Sequence, residues 1–280
     1  GSDTIVIGEG FGTDNIVAGE DVGPVDVDVV DASGMTSGVD LNFTGPEAGT
    51  LSEGANTATF SEVELFTLGS GSDTVTGGAG DELVFAGAGD DTIEAGEGND
   101  LIEADEGDDI VDAGDGDDTV IGGDGSDSID TGEGNDSVLA DDGGSPGFGN
   151  DTVTTGDGSD TVGTGLGDDV IDTSGSLPLI DNAPFPSIPT DANPDDDRDF
   201  VDADEGNDLI TTGDDADTII AGEGNDTVFS GIDDDSVIGD GGDDLIVDPH
   251  GADFIDGGDG DDTIQAGVDA FTDYIGDDPN

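Results

Sequence analysis

The sequence predicts an all-β chain wound as a parallel solenoid, and three observations carry that reading. In twenty repeat units, mostly at a nine-residue step, a carboxylate is followed two residues later by Val or Ile. All twenty apolar partners are β-branched. Between them lie glycine-rich stretches, drawn from 52 Gly in 280 residues. A fixed period of this kind marks stacked repeats, each too small to bury a core by itself.

The carboxylates run Asp73, Glu82, Asp91, Asp100, Asp109, Asp118, Asp127 and Asp136, then Asp151, Asp160 and Asp169. The series resumes at Asp199 through Asp208, Asp217, Asp226, Asp235, Asp244, Asp253 and Asp262, and closes at Asp273. The unit reads Gly-Gly-x-Gly-x-Asp-x-(Val/Ile)-x, as in Gly257–Gln265. Its glycine half needs backbone angles that Gly, and less readily Asn or Asp, adopts without strain, so it predicts a turn. Its second half, such as Asp118-Thr119-Val120-Ile121, predicts a short strand. Residues two apart in a strand share a face. An inward Val or Ile therefore brings its carboxylate inward too, and a row of buried carboxylates stays ionised only beside cations.

The chain supplies almost no cations itself: it has no Lys, one Arg (Arg198) and one His (His250), against 74 acidic residues and a formal net charge of −73. The neutralising charge must come from solution. Carboxylates and backbone carbonyls form a hard oxygen set that suits calcium, which takes six to eight ligands in flexible geometry, better than magnesium. Zero Cys and a single His exclude an ordinary zinc or iron site. The same charge makes nucleic acid and anionic membrane surfaces poor partners, and no run is apolar enough for membrane insertion.

The repeat resembles the RTX (repeats-in-toxin) calcium-binding nonapeptide family, and the likeness covers Leu68–Gly276 apart from two interruptions. The resemblance implies a parallel β-roll, a right-handed β-solenoid with two nonapeptides per coil and calcium between the turns of successive coils. Carboxylates eighteen residues apart would then share an ion: Asp91 with Asp109, Asp100 with Asp118, Asp226 with Asp244. About a dozen Ca2+ ions follow from the two uninterrupted blocks, removing about 24 negative charges. Glu82 departs from the pattern by its length, Asp215 and Asp233 stand at the second turn glycine, and Pro249 fills another glycine place. Reduced occupancy is expected at those turns.

Five segments are read along the chain. Residues 1–17 are degenerate repeats, and 18–67 read as an irregular β cap over the open end of the roll. Within that cap, Val25–Val30 forms an alternating strand, and Ala58–Phe66 alternates straight into the first good turn. Repeat block one spans 68–172, with a six-residue excess near Asp141–Pro146. Residues 173–198 carry Pro178, Pro184, Pro186, Pro189 and Pro194 and read as a loop on a continuous roll in preference to a linker. Block two is 199–280. The chain begins inside a repeat-like stretch, which reads as part of a larger polypeptide, although Gly1-Ser2 also suits a cloning scar.

No catalytic constellation is visible: there is neither a His-Glu-x-x-His helix nor a Gly-x-Ser-x-Gly elbow, so the chain is not read as an enzyme. His250 reads as an ordinary turn residue and Arg198 as a local partner of Asp195–Asp197. Asn135, Asn150 and Asn225 spell glycosylation sequons only because the repeat does. Extracellular modules bind calcium at about 10⁻⁴–10⁻³ M, so such a chain folds after export, at a secreted, extracellular or cell-surface location. A stiff anionic structural or adhesive segment is the leading purpose. A calcium-dependent appendage of a secreted hydrolase and an end-to-end assembling filament or matrix subunit are the alternatives.

Overall fold

The computed structural model describes residues 4–17, 28–45, 48–61, 63, 65–141, 149–175, 198–213, 215–267 and 274–275. Among them there is no helix, and so none long and apolar enough to cross a membrane. The strands form two sheets, of thirteen and fourteen strands. One runs from Thr4–Val6 through Val29–Asp31, Leu65–Thr67 and Leu83–Ala88 to Phe254–Asp256 and Tyr274–Ile275. The other runs from Thr13–Val17 through Asn56–Ser61, Ala48–Glu53, Asp40–Gly45 and Thr74–Gly78 to Thr263–Ala266. Consecutive repeats alternate between the sheets, so each strand pairs in parallel with the strand two repeats away. Thr92, Ile93 and Glu94 lie beside Ile110, Val111 and Asp112. This is the parallel β-roll.

The register explains the core. In the repeat strands from Thr74–Gly78 to Phe254–Asp256 the residue two after the carboxylate points inward, and the β-branched side chains stack in two facing columns. Ile93, Val111 and Ile129 belong to one, and Ile102, Val120 and Val138 to the other, all buried. Two residues further on, a small side chain fills the remaining inward slot. It is Ala at 86, 95, 104, 113, 140, 203 and 221, Thr at 131, 155, 164, 173 and 212, and Ser at 230, every one buried; Gly stands there at 77, 122, 239 and 257, Asp at 248 and Ala again at 266. A roll with strands of three to six residues has room for little more.

The turns need left-handed backbone. Gly114 sits at φ 105°, and a Cβ there would lie 1.8 Å from the Gly96 carbonyl oxygen of the coil beneath. Asp105, Asp204 and Asp240 hold the same first-glycine place at φ 82°, 66° and 70°. Asp215 and Asp233 hold the second at 63° and 79°. Asp tolerates this region through its short polar side chain, so the turn persists where glycine is lost.

The amino-terminal part differs from the expectation in two ways. The stretch Ala58–Phe66 is not one strand. Asn56–Ser61 lies in one sheet and Leu65–Thr67 in the other, because the chain must cross the roll between them. Nor is 18–67 the outermost layer. Thr4–Val6 pairs on the outer edge of Val29–Asp31, and Thr13–Val17 on that of Asn56–Ser61, each satisfying an open parallel edge. An antiparallel meander, Asp40–Gly45, Ala48–Glu53 and Asn56–Ser61, widens one sheet here. Phe43, Phe60 and Phe66 fill the enlarged interior, with ring centroids 4.5–5.6 Å apart. Val25–Val27, at the start of the expected Val25–Val30 strand, lies outside the described residues; Val29–Asp31 is a strand.

At the interruptions the register passes straight across. Ser128 pairs with Thr152, Thr161 with Phe200, and Val170 with Leu209. Both repeat blocks therefore share the same two sheets. Residues 142–148 and 176–197 lie outside the described residues.

Because the stacked β-branched column is the apolar core, Ile219→Ala should destabilise the calcium-saturated chain by about 2–5 kcal/mol. Thr218→Ala, one residue away on the outer face, should cost less than about 0.5 kcal/mol. Denaturant unfolding of the two variants checks the contrast, and equal losses would contradict the inward assignment.

Candidate metal centre

Each inward carboxylate sits at the end of a turn, immediately before its strand, and eighteen-residue coils stack these positions into two columns. One holds Asp73, Asp91, Asp109, Asp127, Asp151, Asp169, Asp208, Asp226, Asp244 and Asp262. The other holds Glu82, Asp100, Asp118, Asp136, Asp160, Asp199, Asp217, Asp235 and Asp253. All are buried except Asp262, which is half-buried. Asp273 lies outside the described residues.

Within a column, the backbone N–H of each carboxylate residue donates to Oδ1 of the next. The Asp91 N–H reaches Asp109 at 2.7 Å, that of Asp100 reaches Asp118 at 2.7 Å, and that of Asp226 reaches Asp244 at 2.9 Å. The ladder does not break at the interruptions: Asp127 donates to Asp151, Asp160 to Asp199 and Asp169 to Asp208, at 2.8–2.9 Å. The eighteen-residue pairs read from the sequence are thus neighbours in space. Glu82 accepts from the Gly78 N–H of its own turn at 3.4 Å, as Asp73 does from the Gly69 N–H at 3.4 Å.

The second oxygen is left over. Oδ2 of Asp91, Asp100, Asp109, Asp118, Asp127, Asp151, Asp208, Asp226, Asp235 and Asp244, and Oε1 of Glu82, are buried and accept no hydrogen bond. A buried carboxylate oxygen without a partner is costly, and repeated along the roll it indicates a ligand. Backbone oxygens converge on the same places. A Cβ on Gly122 would lie 2.4 Å from Asp127 Oδ2 and 2.5 Å from the Ala140 carbonyl oxygen. One on Gly239 would meet Asp244 Oδ2 at 2.4 Å and the Gly257 carbonyl oxygen at 2.6 Å. This donor set, hard and made only of oxygen, fits calcium.

Electrostatics agree. Burial pushes the Asp91 carboxyl up to about 7, against the Asp73 N–H that lowers it, and the charges of Asp73, Asp109 and Asp90 push further. Asp127, Asp151 and Asp208 are likewise pushed up to about 7, Asp109, Asp118 and Asp160 to about 6, and Asp199 to about 8, with burial the largest cause in each. Asp235 goes highest, to about 10, through burial and then the charges of Asp217, Asp248 and Asp253.

A second ladder, on the exposed side of the turns, escaped the sequence reading. The residue before each inward carboxylate accepts a backbone hydrogen bond from its counterpart one coil later. Asn99 N–H donates to Asp81, Asp117 to Asn99, Asn225 to Asn207, and Asp243 to Asn225, at 2.8–3.2 Å. Asn135 N–H donates to Asp117, and its side-chain amide does so too, holding the Asp117 carboxyl below its ordinary value. Asn135, Asn150 and Asn225, read as by-products of the repeat, are members of this ladder. The signal was there: the position before the carboxylate is Asp, Asn or Ser in nearly every repeat. His250 is half-exposed in its turn, and the Arg198 backbone N–H donates to Ser159 Oγ at 3.1 Å.

Among protein families, the model for the RTX calcium-binding nonapeptide repeat matches residues 64–93, 85–120, 112–144, 147–172, 195–228, 211–246 and 250–270, together more than half of the chain. No curated protein matches the chain.

Carboxylates whose pKa rises on folding favour the folded state only when protonated. Without calcium, that contribution is complete below the ordinary value near 4 and is lost as the pH climbs through about 6–7. The chelated chain should therefore gain β circular dichroism as the pH falls from 8 to 4, in molar monovalent salt that screens general repulsion. A chelated chain equally unfolded at both pH values would contradict the buried placement.

Proposed function

The chain belongs to the RTX calcium-binding nonapeptide repeat family as a calcium-binding β-roll module, and from that premise we propose that it folds on binding calcium outside the cell, as a stiff anionic structural or adhesive segment of a secreted or surface protein. The observation that carries this reading is the pair of columns of buried carboxylate oxygens in a chain with one basic side chain. Bound calcium would supply the positive charge and accept the oxygens of both carboxylates and turns. The metal ligands are Asp73, Glu82, Asp91, Asp100, Asp109, Asp118, Asp127, Asp136, Asp151, Asp160, Asp169, Asp199, Asp208, Asp217, Asp226, Asp235, Asp244, Asp253, Asp262 and Asp273, for about a dozen ions or more.

Folding and binding are one event in this reading. Stacking the coils brings carboxylates of equal charge into columns, which like-charge repulsion forbids in the bare chain. At the low calcium level of the cytosol the chain stays unfolded and fit for export; near millimolar calcium it closes. The repeat family is structural, and the columns leave no group placed for acid–base or nucleophilic work.

Far-UV circular dichroism during a calcium titration from a chelated start tests this, with magnesium as control. A cooperative rise in β signal at about 10⁻⁴–10⁻³ M calcium, absent with magnesium, is the expected result. A chain already ordered in chelator at neutral pH would overturn it. Asp109→Asn should move the calcium midpoint several-fold upward, while Glu97→Gln, on the exposed turn, should leave it in place.

A further inference from the structure

The inward slot that elsewhere holds Ala, Thr, Ser or Gly holds Asp248 in one repeat, at the end of the strand Leu245–Asp248. Its neighbour in the next coil is Ala266, and eighteen residues earlier stands Ser230. Asp248 is fully buried, at 0% exposure. One oxygen each of Asp248, Asp235 and Asp253 lies within 4.8 Å of the others, and all three residues are buried. Asp235 and Asp253 come from the ladder of the opposite sheet, where the Asp235 N–H donates to Asp253 Oδ1 at 3.1 Å. This cluster therefore joins the two sheets.

Two further observations point to a ligand. Oδ2 of Asp235 is buried and accepts no hydrogen bond. Backbone oxygen also converges here: a Cβ on Gly251 would lie 1.8 Å from the Asp233 carbonyl oxygen and 2.0 Å from Asp253 Oδ1. A hydroxyl in the same slot behaves otherwise, since that of Thr212 donates to the Ser230 carbonyl at 2.7 Å. An ionised carboxylate has no proton to donate. Residues 247–249 fall between the stretches that match the family model.

We propose that Asp235, Asp248 and Asp253 form a three-carboxylate cation site that holds calcium more tightly than the two-carboxylate sites of the regular repeat. The turn at Asp233 and Pro249, which departs from the repeat and was expected to bind weakly, is by this account the firmest point of the second block. The physical reason is ligand charge: affinity of oxygen sites for calcium rises with the number of carboxylates, provided the site can hold them close. The inference rests on the calcium reading above and adds to it an order of occupancy.

The test is calorimetric titration of calcium into the full chain in competition with a chelator, for the unaltered protein, Asp248→Ala, Asp248→Asn and Thr212→Ala. Ala occupies this slot in eight other repeats, Ala266 of the next coil among them, so Asp248→Ala should keep the roll at saturating calcium. The expected result is a tightest class of site in the unaltered chain, weakened about tenfold or more in both Asp248 variants and unchanged in Thr212→Ala. An unchanged tightest class in the Asp248 variants would overturn the proposal while leaving calcium-driven folding intact. So would Asp248 variants that fold more readily in chelator with unaltered calcium binding, which would make Asp248 a protonated spacer. Failure of the unaltered chain to bind calcium would overturn both readings.

Discussion

Everything in this roll depends on how one carboxylate divides its two oxygens. Oδ1 accepts the backbone N–H of the coil before it and fixes the stacking register. Oδ2 is carried into the interior by that same bond and left without a protein partner. Neither half works alone. An Asn would keep the hydrogen bond and lose the charge, whereas a solvated Asp would keep the charge and lose the register. One side chain therefore carries both the stacking bond and the buried charge.

The exposed ladder runs the other way. In the inner ladder an earlier backbone donates to a later side chain; in the outer one a later backbone donates to an earlier side chain, as Asp243 does to Asn225. Each turn is thus tied to the next coil from both sides. The inner tie needs a cation and the outer does not, since an Asn or Ser serves as well as an Asp. That difference explains why the carboxylate position is nearly invariant within the chain while its predecessor varies, mostly among Asp, Asn and Ser but also Arg198, Ala216, Ala252 and Thr272.

Much of this was legible in the sequence, because the repeat states period, face and chemistry together. The position of Val120 two after Asp118 gives the strand, the inward face and the buried charge at once. The amino-terminal part was not legible for the same reason. Phe43, Phe60 and Phe66 lie at irregular spacing and meet only because the antiparallel meander folds them over one another. The break between Ser61 and Leu65 was hidden by an alternation that continues through both strands. Asp248 was invisible for another reason: among so many acidic residues, nothing in a one-dimensional count marks the one whose slot is otherwise small and uncharged.

The uninterrupted pairing of Thr161 with Phe200 and of Val170 with Leu209 separates the amount of chain from the length it spans. In a parallel sheet each added strand advances the stack by about 4.8 Å. An ordinary coil uses eighteen residues for that step, while the coil from Thr161 to Phe200 uses thirty-nine for the same step. The molecule therefore measures distance in coils, not residues. Sequence can accumulate at a turn without moving either end, so this rod is a ruler on which side attachments can grow while its graduations stay fixed.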